Sequence, residues 1–97
     1  MTHTFCGKRY TIKNMPCSCR DMGKCDAPDR TKKKILIPLK DNSCVGLETS
    51  VHEAIHAAFY LIDEETVECA GHDIATFLWR LGWRRVANRR TGYDKKA

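Results

Sequence analysis

The sequence predicts a small α+β domain in which a two- to three-stranded sheet packs on two main helices. Three observations carry that expectation. Two short segments before residue 40 have strand character, two longer stretches after it space their apolar residues three and four apart, and an acidic turn joins those stretches into a hairpin.

Taken in order, Lys8 to Lys13 alternates Tyr10 and Ile12 with polar residues, as a half-buried strand does, and Asn14-Met15-Pro16 ends it. Cys17 to Arg30 shows neither helical nor strand period and reads as a loop. Lys33 to Leu39 is β-branched and apolar, a second strand. Its Pro38 cannot donate to a ladder, so the strand either lies at an edge or stops there. Asp41-Asn42-Ser43 supplies turn and N-cap chemistry for a helix over about residues 45–62, with Val51, Ile55, Ala58, Phe59 and Ile62 on its apolar face. Asp63 caps a second helix over about residues 64–81. Glu64 and Glu65 then fall in its first turn, where the helix dipole favours acids, Val67, Ala70, Ile74, Leu78 and Leu81 are buried, and Gly82 closes it. Residues 91–97 read as a loose tail.

A chain of 97 residues, 42% hydrophobic and 30% charged, has room for one domain with one modest core. A core of that size is commonly reinforced by a metal, by cysteines or by a partner. No apolar stretch reaches membrane-spanning length. The opening Met1-Thr2-His3-Thr4-Phe5-Cys6 lacks the basic-then-apolar pattern of an export signal, so a cytoplasmic setting, bacterial or that of an infected host cell, is expected. There, six cysteines are thiols or metal ligands sooner than disulfides. The formal charge of +5 is concentrated near the C-terminus. Arg84, Arg85, Arg89 and Arg90 are the residues through which nucleic acid or an acidic protein would be contacted, although short basic tails also serve solubility alone.

The chemistry centres on His52-Glu53-Ala54-Ile55-His56. Two histidines four apart on a helix project from one face and can share one tetrahedral zinc ion, while Glu53 beside them can act as general base on a metal-bound water. Val51-His52-Glu53-Ala54-Ile55-His56-Ala57-Ala58, with strands before it and an acidic helix after it, resembles the compact zincin-like metallopeptidases of phages and mobile elements. More distantly it is similar to the ImmA/IrrE-like and SprT-like families. The resemblance spans about residues 33–83, and only the five-residue motif is specific. It implies zinc-dependent hydrolysis of a peptide or protein substrate, and in the gluzincin branch a third ligand that is a glutamate on the following helix.

For that third ligand Glu68 is the first choice, with Glu64, Glu65 and His72 left open; the short run from His56 to Glu68 then demands a tight helical hairpin. An extended peptide is expected along the strand Ile35 to Leu39. Tyr10, Tyr60 and His72 are possible donors to a developing oxyanion. Cys17, Cys19 and Cys25 suggest a second metal, but their spacing suits a zinc ribbon poorly. Cys44 and Cys69 read as small buried hydrophobes. The competing reading is a non-catalytic protein that zinc holds together; it would have less need of Glu53, because a structural site closes all four positions with protein ligands.

Overall fold

A computed structural model of the chain describes residues 1–15 and 23–86. In chain order the elements are β1 (Thr2–Phe5), β2 (Lys8–Asn14), β3 (Lys24–Cys25), β4 (Lys34–Ile37), α1 (Cys44–Ala58) and α2 (Glu64–Arg80). The fold is α+β, with one more strand than the upper end of the expected range.

β1 and β2 form a hairpin in which Phe5 opposes Lys8, leaving Cys6-Gly7 as a two-residue turn. Both residues have positive φ, 48° and 82°. Such turns require this, because their twist matches that of the flanking strands. β2 pairs in parallel with β4, Ile12 opposite Ile35, and β4 pairs antiparallel with β3, giving the order β1-β2-β4-β3. β4 is therefore an interior strand, and Pro38 marks its end rather than an edge position. The sheet edge beside the helices is β3, a two-residue strand inside the segment expected to be loop throughout.

The strand alternation directs Tyr10 and Ile12 to one face, where they meet Ile35 and Ala57 of α1 in the core, flanked by Phe5, Cys25, Ile37 and Leu39. The wholly buried Tyr10 donates its hydroxyl hydrogen to the carbonyl of Asp26 at 3.2 Å, so its one polar atom is satisfied. Burial pushes that phenol up to about 12.

α1 is the middle layer, with the sheet on one side and α2 on the other. Ser43 caps it, accepting from the Gly46 amide at 3.1 Å. The helix stops at Ala58, four residues before the expected end: the Phe59 amide still bonds to Ile55, but Phe59 itself leaves helical geometry. Phe59 and Ile62 are thus exposed link residues and not part of a buried helical face. That link brings Asp63 to the start of α2, where its carboxylate accepts from the Thr66 amide at 2.9 Å and the Thr66 hydroxyl at 2.7 Å. These bonds hold the Asp63 carboxyl below its ordinary pKa.

At the far end of α2, Gly82 has φ 100°; its amide bonds to the Trp79 carbonyl and the Trp83 amide to that of Leu78. This is the Schellman closure expected of Gly82. The buried stripe of α2 is Val67, Gly71 and Ala75, whereas Ile74 and Leu81, expected inside, are 44% and 60% exposed. The reason is the layering. Since α2 packs on α1, a narrow row of small residues covers the contact, and the larger apolar groups turn outward. No helix among the described residues is long and apolar enough to cross a membrane.

Beyond α2, Arg84 stacks on Trp79 at 3.3 Å and donates to the carbonyls of Trp79 and Trp83. The Arg85 backbone amide bonds to Asn42, and its guanidinium reaches the Asp41 carbonyl. Two of the four arginines considered for nucleic acid are thus already engaged within the fold. Arg89 and Arg90, like the expected tail, lie outside the described residues.

Candidate metal centre

Capping at Ser43 sets the start of α1, and helical periodicity then brings His52 and His56 to the side facing α2. Their rings meet edge to face with centroids 4.8 Å apart, both largely but not wholly buried. The first residue of α2 completes the group. One carboxylate oxygen of Glu64 lies 3.0 Å from His52 Nε2, and the other lies 2.9 Å from His56 Nε2. One ligand atom from each of the three residues falls within 4.8 Å of the other two, the one such group of histidine, cysteine and carboxylate side chains among the described residues.

Glu68, the first choice for third ligand, is not in that group; the runner-up Glu64 is. Helix phase explains the difference. At 100° per residue Glu64 projects about 20° from the centre of the stripe Val67–Gly71–Ala75, and Glu68 about 60° from it. Position along the axis acts in the same sense, since Glu64 opens α2 directly after the link that follows His56. Glu65 also falls outside the group. His72 lies across the cleft from the centre, its Nδ1 3.2 Å from Glu48 Oε1.

Glu53 occupies the neighbouring side of α1 and is only 8% exposed. A β-carbon at Gly23, just before β3, would come within 3.0 Å of its Cγ and Oε2 and within 2.8 Å of Thr49 Cγ2. Gly23 is therefore the residue that lets the sheet edge approach so closely. The Glu53 carboxylate makes no hydrogen bond among the described residues. Its proton affinity is raised above the ordinary value, chiefly by burial; the two histidines oppose this and Glu64 adds to it.

A cleft of about 880 Å³ between α1 and α2 gives access to His52, Glu53 and Glu64, with Glu48, Glu65, Glu68 and His72 on its walls. Glu48 did not figure in the sequence reading, yet the signal is there: it stands one helical turn before His52 as His52 stands one turn before His56. Gly23 left no comparable signal, since its role depends on a contact between distant segments. Of the donors considered for an oxyanion, only His72 lines this cleft; Tyr10 is spent on Asp26.

Among the described residues the cysteines join no such group. Cys25 is free, and its thiol is pushed up to about 11, mainly by burial, with Glu53 and Asp26 acting in the same direction and a hydrogen bond with Tyr10 opposing them. Such a thiol is a poor source of thiolate. Cys17 and Cys19 lie outside the described residues. Cys69, expected to be buried, is exposed on α2, and Cys44 is half-buried. No family model, no curated protein and no solved structure matches the chain.

Proposed function

We propose that the chain is a zinc-dependent metallohydrolase acting on peptide bonds, with His52, His56 and Glu64 as ligands and Glu53 as general base. The observation that carries this reading is the approach of both Glu64 oxygens to the two imidazole Nε2 atoms. Zinc bonds of 2.0–2.1 Å in tetrahedral array put neighbouring ligand atoms roughly 3.3 Å apart. The observed 3.0 and 2.9 Å, each to a different oxygen of Glu64, are near that spacing, and one ligand atom from each residue falls within 4.8 Å of the other two. Three protein ligands also leave one coordination place open, which is the mark of a catalytic rather than a structural site.

When bound, zinc would polarise the substrate carbonyl and make water acidic enough to attack it near neutral pH. The rest of the work falls to the chain. Glu53, sheltered against Gly23 and with its carboxylate in no hydrogen bond among the described residues, accepts the proton of the attacking water and passes it to the departing amine. Its raised proton affinity suits it to both steps. With β4 interior, an extended substrate would run instead beside β3, the edge that leads past Gly23 into the cleft.

A second reading draws on the thin seam between the helices, where Val67, Gly71 and Ala75 are the buried residues of α2. In it the ion only fastens α2 to α1. Metal content and casein hydrolysis separate the two. On the enzymatic reading the purified protein carries about one equivalent of zinc, and Glu53→Gln keeps zinc and fold while hydrolysis falls by roughly 10²-fold or more. Glu64→Ala loses zinc, and Glu68→Ala retains it. Zinc without hydrolysis selects the fastening role; a parent protein free of metal and indifferent to zinc and chelators ends both.

A further inference from the structure

All five glutamates of the chain line the one cleft that holds the candidate centre, and among the described residues neither lysine nor arginine lines it. The protein as a whole has the opposite balance, 17 basic against 12 acidic residues. Glu53 and Glu64 are accounted for by the proposed chemistry. Glu48, Glu65 and Glu68 are not.

From this we infer that the cleft takes cationic peptide segments, with lysine or arginine side chains flanking the scissile bond held by Glu48, Glu65 and Glu68. The inference rests on the metallohydrolase reading and names its substrate class. It needs more than a group of surface acids, and Glu53 supplies that: a residue only 8% exposed, its carboxylate without a hydrogen bond among the described residues, opening onto this same cleft. Its carboxylate is thus available to a donor that enters the cleft. The walls add order to the charge. Glu48 is steadied by His72 across the cleft at 3.2 Å, while Glu65 and Glu68 rise from the first turns of α2. Lys24, Arg30, Lys32 and Lys34, together with Asp26 and Asp29, line a separate depression that is basic on balance. A cationic segment is therefore drawn to the helix-side cleft in preference to that depression, whereas an anionic segment meets the reverse preference.

Peptide charge tests this sharply, because net charge alone predicts the opposite preference. Three dye-labelled peptides of equal length, flanking one cleavable bond with lysine, serine or glutamate, are compared for hydrolysis by the zinc-loaded parent and for binding to zinc-loaded Glu53→Gln by fluorescence anisotropy. Each exposed carboxylate–ammonium pair contributes up to about fivefold. The lysine peptide should accordingly exceed the glutamate peptide by on the order of tenfold to a hundredfold in kcat/KM and in affinity. The ratio should shrink as salt rises and fall to near one in the triple variant Glu48→Gln/Glu65→Gln/Glu68→Gln. Hydrolysis at equal rates, tighter binding of the glutamate peptide, or an undiminished ratio in the triple variant overturns the inference while leaving the enzyme reading in place. Charge-selective binding without hydrolysis of any peptide overturns the enzyme reading and keeps the cleft as a site for cationic peptides.

Discussion

Where α1 meets the sheet, Ala57 closes against Tyr10, Ile12 and Ile35, and the contact is apolar and well covered. Where the same helix meets α2, the buried residues of α2 are Val67, Gly71 and Ala75, and the mouth of the seam is occupied by two imidazoles and Glu64. One side of α1 thus supplies most of the hydrophobic stabilisation, and the other trades apolar area for polar groups. The difference teaches that the core contact and the candidate metal ligands fall on different sides of one helix, with Glu53 on the stripe that Ala57 continues towards the sheet, so that ligands and core can be perturbed separately.

The largest expected effect is on the sheet side. Ile35→Ala removes a side chain that is 2% exposed at the centre of the core and should cost about 2–5 kcal/mol. A domain of this size has total stability of about 5–15 kcal/mol, so the urea midpoint should fall by a large fraction. A loss under about 1 kcal/mol would mean that the sheet side does not dominate.

On the helix side the corresponding perturbation is the ion. If His52, His56 and Glu64 bind zinc only in the folded state, zinc at a hundred times its dissociation constant adds about 2.7 kcal/mol, a rise in Tm on the order of 10 °C for a domain this small. Ile35→Ala should keep that increment, since the two faces are independent, and His56→Ala should abolish it. Were Ile35→Ala to lose the zinc response while remaining folded, the separation of the two faces would be wrong.

The same division explains which parts of the molecule were legible in the sequence. Tyr10 and Ile12 alternate, Asp63 precedes two acids, and Gly82 follows a helical period; each is a local signal, and each element formed as expected. Which atoms meet across the seam was less legible. The choice between Glu64 and Glu68 turned on where α1 ends and on the phase of α2, and an apolar run such as Phe59-Tyr60-Leu61-Ile62 extends the apparent helix although Leu61 is 95% exposed. β3 was invisible because two residues cannot show a period, and its existence depends on pairing with β4. Likewise, Ile74 and Leu81 look like core until α2 is known to have one packed neighbour.

The smallest effect concerns the phenol at the base of the sheet side. Tyr10 is buried, and its pKa stands at about 12 against 10.0 for the free side chain. The raised value means that the folded state holds the proton more tightly than the unfolded one. The associated stability is present in full below pH 10 and is lost as pH rises from 10 towards 12. By pH 11 the loss amounts to about 1.4 kcal/mol. Tyr10→Phe gives up the hydrogen bond to Asp26 and should cost about 1 kcal/mol at pH 7. It should also flatten the decline above pH 10, because the remaining acid with a raised pKa on this side, the half-buried Cys25 thiol at about 11, accounts for only part of it. Urea midpoints for both proteins between pH 7 and pH 11 provide the comparison. An equally steep alkaline decline in Tyr10→Phe would remove Tyr10 as its source and leave the Cys25 thiol to explain it.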